Sequence, residues 1–112
     1  MKCSLVRWGC GAFLLPLLAL VLSGPLHAQD APTLFKTKCA PCHAADGSGS
    51  TATGKAMKVR DLHSEDVQKQ TDAELTAVIT NGKNKMPAYK GKLDDGQIKG
   101  LVGYIRDLAK KK

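Results

Sequence analysis

Cys39 and Cys42 stand three residues apart and His43 follows at once, in the run Cys39-Ala40-Pro41-Cys42-His43. Thiols at i and i+3 share one face of a helical turn. Both sulfurs can therefore bond along one side of a porphyrin, and the imidazole next in line can turn under its iron. That is the attachment signature of a c-type haem. It makes Cys39 and Cys42 the candidate covalent anchors of one haem c, and His43 a candidate iron ligand.

An iron held by His43 has a sixth position to fill, and Met86 is the candidate. It precedes Pro87, so its backbone is driven out of the helical region and held extended. A loop between two helical segments can carry it across the porphyrin from His43. Its thioether is a soft ligand that suits ferrous iron and raises the reduction potential. Met57 is the rival, with a shorter reach around the ring, and the bland alternative is Met86 as packing filler. With both axial positions filled, the metal has no vacancy and is limited to one-electron exchange. With Met86 free or easily displaced, the same haem would bind a gas or reduce peroxide. That is the alternative function.

The elements that must position these residues are helical. Pro32 suits a first helical turn, and a short helix is expected over about 32–42, leading into the cysteines. Residues 44–54 hold Asp46-Gly47-Ser48-Gly49-Ser50 and read as a loop that could drape over one haem edge. Residues 54–64 are a turn or a short helix. Thr71 and Glu74 form a capping box ahead of Leu75, Val78 and Ile79, and Gly82 ends that helix after Asn81. Asp94 and Gln97 form a second box. Ile98, Leu101, Val102, Ile105 and Leu108 then trace one apolar stripe, giving a helix over about 94–109. Gly100 and Gly103 cost that helix propensity, and Gly100 is the expected point of close approach by another helix. No stretch alternates as a half-buried strand would. The fold class is all-α, three to four helices around one covalent haem.

Of the 112 residues, the first 28 read as a signal peptide: Lys2 and Arg7, an apolar run from Gly11 to Leu22, then a cleavage region ending at Ala28. An uncleaved anchor is the competing reading, weakened by Gly9, Gly11, Pro16, Gly24 and Pro25. Residues 29–112 form one small domain with two of the four cysteines, and 15 Lys and Arg against 10 Asp and Glu. The expected location is the periplasm. Phe35, Tyr89 and Tyr104 are the domain's only aromatics. A core this thin needs a staple. A haem burying several hundred Å² of apolar surface would add on the order of 10 kcal/mol at about 25 cal/mol per Å².

The run CAPCH after a Leu-Phe helix, Met86-Pro87-Ala88-Tyr89 in a late loop, and a C-terminal amphipathic helix with Tyr104 resemble the class I cytochromes c. The small soluble bacterial mono-haem members match best, over nearly all of residues 31–109. The resemblance implies that the first and last helices cross, with Leu34, Phe35, Leu101 and Tyr104 at the crossing. It implies thioethers at Cys39 and Cys42, and His43 and Met86 as the axial pair. It also implies an electron carrier rather than an enzyme. A Trp found in some relatives is absent from the domain, so a propionate contact would fall to other residues, Arg60 or Lys58 among them.

Lys83, Lys85, Lys90 and Lys92 surround Met86 in sequence. They are either a collar that steers docking onto redox partners with acidic surfaces, donor and acceptor, some of them membrane-bound, or a solvated loop. Lys110-Lys111-Lys112 reads as a frayed tail, and His63 as an ordinary half-exposed residue. A thiol–disulfide enzyme would place its CxxC after a strand, and zinc would need a second ligand pair. Nucleic-acid binding is excluded by export and by the lack of aromatic platforms. A monomer is expected.

Overall fold

The computed structural model describes residues 30–111. The expected signal peptide and Lys112 lie outside them. The described elements are α1 (Ala31–Leu34), a π-helical turn (Phe35–Cys39), α2 (Ala40–His43), α3 (Ala52–Met57), α4 (Glu65–Gln68), α5 (Asp72–Asn81) and α6 (Asp95–Lys110). No strand occurs among the described residues, and only isolated bridges, Lys83 with Met86 and Lys90 with Leu93, pair extended backbone. No described helix is long and apolar enough to cross a membrane.

From α1 to α2 the backbone runs as one rod. Asp30 caps it by accepting from the Thr33 backbone N–H at 3.2 Å, and Pro32 sits in the first turn, where a missing donor costs nothing. The π turn has a cause in the sequence. Pro41 has no N–H to give the helical ladder, and just before it the Ala40 N–H reaches back five residues to the Phe35 carbonyl. The expected helix over 32–42 is therefore present but begins at Ala31, ends at His43 and is wound more loosely in its middle.

The rod and α6 cross at the centre of the core. Leu34, Phe35 and Leu101 are each 1% exposed, and the Phe35 and Tyr104 rings meet at 5.1 Å, tilted by 56°. Ile98, Val102, Ile105 and Leu108 complete the buried stripe of α6. Burying each of these side chains is worth about 1.5–3 kcal/mol. An alanine Cβ built at Gly100 would sit 3.5 Å from the Ala31 Cβ. The close approach expected at Gly100 is there, and it leaves room for one methyl.

Both expected capping boxes form. Thr71 and Glu74 close reciprocally at the start of α5, with bonds of 2.7 and 3.1 Å. Asp94 and Gln97 do the same for α6 at 2.9 and 2.8 Å. α5 stops at Gly82, φ +74°, where a Cβ would fall 2.6 Å from the Met86 carbonyl. Only a residue without a side chain lets the following loop fold back this tightly. α3 starts earlier than the expected turn over 54–64, because Thr51 caps it by accepting from the Gly54 N–H at 2.8 Å. α4 carries no strong sequence signal: four residues contribute one buried side chain, Val67.

Candidate haem-binding site

The CxxCH run is held at both ends. At its start, the Tyr89 hydroxyl donates to the Lys38 carbonyl at 3.0 Å. At its end, the Thr51 hydroxyl donates to the Cys42 carbonyl at 3.0 Å, and the Gly49 N–H donates to the His43 carbonyl at 2.8 Å. Gly54 packs so closely on this end that a Cβ there would lie 2.3 Å from the Cys42 carbonyl oxygen. Cys39 and Cys42 form no disulfide, stand three residues apart on the rod and are both partly buried.

These residues open onto a cavity of about 520 Å³. Cys39, Cys42, His43 and Met86 all line it, which brings together all four residues singled out by their spacing and chemistry. Phe35, Leu75, Ile79, Leu101 and Ile105 form its apolar wall. The turn holding Met86 is closed by two backbone bonds between Lys83 and Met86, at 3.2 and 2.9 Å. Met57 lines the same cavity but is 41% exposed at the end of α3. The wall on that side comes from Ala56 to Arg60; the preceding glycine-serine loop braces His43 from behind.

The electrostatics of the donors fit a metal-bound porphyrin. Burial pushes the His43 pKa below its ordinary value, so the imidazole is neutral, the form that binds iron. Its Nδ1 is buried with no hydrogen-bond partner. Burial, helped by the neighbouring Cys42, pushes the Cys39 thiol up to about 11. That is the reverse of what a thiol–disulfide enzyme needs, since such enzymes lower the thiol pKa to obtain thiolate. Burial likewise raises the Tyr89 phenol. Among the described residues no group of three or more His, Cys, Asp or Glu comes together as an ion cage. An apolar cleft of this size with two thiols, one neutral imidazole and one thioether has the donor set for a haem.

Charge around the cavity differs from the collar expected from neighbours in sequence. Lys83 and Lys85 line it together with Lys38, Lys58 and Arg60, and no Asp or Glu shares the lining. Lys92 instead places its ammonium 6.0 Å from the Tyr89 ring centre. His63 does not line the cavity; its Nδ1 lies 2.6 Å from Asp61 Oδ1. Arg106 of α6 was not singled out from sequence, yet it clamps the connection between α4 and α5. It donates to the Gln68 carbonyl at 2.9 Å, to the Gln70 carbonyl and to Asp72 Oδ1 at 2.9 Å, and Gln70 reaches the cavity wall. Arg106 and the Tyr89 hydroxyl act across 34 and 51 residues, too far for any local pattern to reveal.

Comparison with known proteins gives a consistent result. A family model described as cytochrome C oxidase, cbb3-type, subunit III matches residues 27–105. A cytochrome c6 from Leptolyngbya boryana is 40% identical over 78 residues, 70% of this chain and 88% of that protein. A cytochrome c6 from Nostoc sp. is 34% identical over 105 residues, 91% of this chain and 87% of that protein. Among solved structures, the KustC0563 c-type cytochrome superposes with a TM-score of 0.66 at 28% identity, covering 71% of this chain and 98% of the other.

Proposed function

We propose that this chain, which belongs to the class I cytochrome c family and carries one covalent haem c, is a soluble periplasmic shuttle with His43 and Met86 as its axial pair. The observation that carries this reading is the convergence of Cys39, Cys42, His43 and Met86 on one apolar cavity. When bound, the haem supplies exchange of one electron between Fe(II) and Fe(III). Every other part of the work falls to the chain. Cys39 and Cys42 anchor the group as thioethers. His43, neutral because it is buried, donates an imidazole lone pair. Met86, extended ahead of Pro87, presents its thioether on a turn closed against Gly82. With His43 and Met86 both holding the iron, no coordination site would be left open for oxygen or peroxide, so the protein would act as a carrier and not as an enzyme. Keeping the same ligands in both oxidation states would also keep rearrangement small. Residues 1–28 direct export.

Lys38, Lys58, Arg60, Lys83 and Lys85 border the cavity without a compensating carboxylate in its lining. Such a one-signed rim favours redox partners with acidic docking faces and makes the association rate fall as salt rises. Arg60 and Lys58, which line the cavity, are the candidates to meet a haem propionate.

The test is Met86→Ala in haem-loaded protein. Wild type should show the far-red thioether–Fe(III) absorbance band and should not take up carbon monoxide readily when reduced at neutral pH. The variant should lose the band, bind carbon monoxide and drop in reduction potential. An unchanged band in Met86→Ala refutes the ligand assignment and turns attention to Met57. Ready carbon monoxide binding by wild type would favour the open-site alternative.

A further inference from the structure

The loop carrying Met86 and the rod carrying Cys39, Cys42 and His43 are separate in sequence, and one side chain ties them together across the mouth of the cavity. Tyr89 lies three residues after Met86. Its N–H donates to the Ile79 carbonyl at 3.0 Å, and its own carbonyl accepts from Lys92 and Leu93 at 2.9 and 3.0 Å. The backbone of Tyr89 is thus fastened to the end of α5. Its hydroxyl then crosses to the Lys38 carbonyl at 3.0 Å, next to the first attachment cysteine. Between Tyr89 and Met86 the chain is stiff: Pro87 has a fixed φ, and Lys83 and Met86 close a turn pressed onto Gly82. A movement of the Met86 backbone away from the cavity is therefore coupled to Tyr89.

We infer that Tyr89 is a positioning residue for Met86, its hydroxyl bond to Lys38 latching the Met86 loop onto the haem-attachment rod and setting how easily that thioether is displaced. This rests on Met86 being the axial ligand. Opening of the loop must break the latch, so the latch adds its own strength to the closed state. Removing the hydroxyl should make an external ligand compete better by about fivefold, the factor that one neutral hydrogen bond is worth.

The experiment compares wild type, Tyr89→Phe and Tyr104→Phe as haem-loaded ferric proteins. Imidazole is titrated in while the far-red thioether–Fe(III) band is followed, and urea midpoints are taken in parallel. Phe keeps the ring in the core, so folding is preserved. Tyr104→Phe removes a hydroxyl from the rod–α6 crossing instead. The half-point for imidazole should fall about fivefold in Tyr89→Phe, and stay within twofold of wild type in Tyr104→Phe. A Tyr89→Phe half-point within twofold of wild type would overturn the proposal, even if its urea midpoint drops, because the hydroxyl would then be structural only. An equal gain in both variants would overturn it too. A wild-type protein with no thioether band would instead defeat the Met86 assignment, and this proposal with it.

Discussion

Replacing Gly54 by Ala sets two large effects against each other. Gly54 lies inside α3, and by helix propensity alone an Ala there should stabilise the protein by about 1 kcal/mol. Packing points the other way. A Cβ at this position would sit 2.3 Å from the Cys42 carbonyl oxygen, 2.4 Å from that of Gly49 and 2.9 Å from the Thr51 hydroxyl. Two of these atoms are backbone, so no rotamer change relieves the overlap, and α3 must retreat by about 1 Å to restore contact distance. Overpacking of this kind costs about 1–3 kcal/mol. The retreat also stretches the Thr51–Cys42 bond of 3.0 Å and strains the Gly49–His43 bond of 2.8 Å, at about 1 kcal/mol each. After subtracting the propensity gain, the net loss is about 2–4 kcal/mol. In a domain of this size that lowers Tm by about 10–30 °C. Thermal unfolding of haem-loaded Gly54→Ala, followed by far-UV circular dichroism, reads it directly. Thr51→Val, which removes both the cap of α3 and the bond to Cys42, should lose about 2 kcal/mol without any overlap at Gly54. If Gly54→Ala melts at or above the wild-type temperature, propensity has won, and α3 is not packed against the attachment residues as described.

Three further outcomes can be checked. Gly103 faces open space on α6, so Gly103→Ala should raise stability by about 0.5–1 kcal/mol, read as a higher urea midpoint. Arg106→Ala removes the clamp on the α4–α5 connection and should lose about 2–3 kcal/mol in urea unfolding, with Arg106→Lys recovering less than half because an ammonium lacks the guanidinium fork; a loss under about 0.5 kcal/mol would count it as an ordinary surface residue. Hydrogen bonds from Thr71, from Ser48 and from Lys69 hold Glu74, Asp46 and Asp66 respectively below the usual carboxylate range. A depressed folded pKa means the unfolded chain binds more protons at acid pH, so their stabilisation is complete above about pH 5 and declines as pH falls through about 4 and below. Urea midpoints measured from about pH 6 to about pH 3 should fall, and Glu74→Gln should show the shallower slope.

Legibility in the sequence followed the range of the interactions involved. The two capping boxes, the stripe of α6 and the CxxCH run are made by residues three or four apart, where chain geometry alone decides who meets whom. Each of these appears in the structure. The π turn is also local, since Pro41 removes a donor, yet a missing donor can be met by a kink, a break or looser winding, and sequence does not choose among them. α4 was invisible because four residues with one apolar side chain carry no period.

The residues that decide how the site is held belong to a different class. Thr51 reaches Cys42 across 9 residues, Arg106 reaches Asp72 across 34 and Tyr89 reaches Lys38 across 51. The charged rim likewise joins Lys38, Lys58 and Arg60 to Lys83 and Lys85 from three separate segments. Donor chemistry is intrinsic to a side chain, and spacing of three is fixed by helical pitch, so the kind of group this chain can hold was written along it. Which distant segments brace those donors depends on how the rod, α3, α5 and α6 pack, and that is settled only when apolar surface is buried in three dimensions.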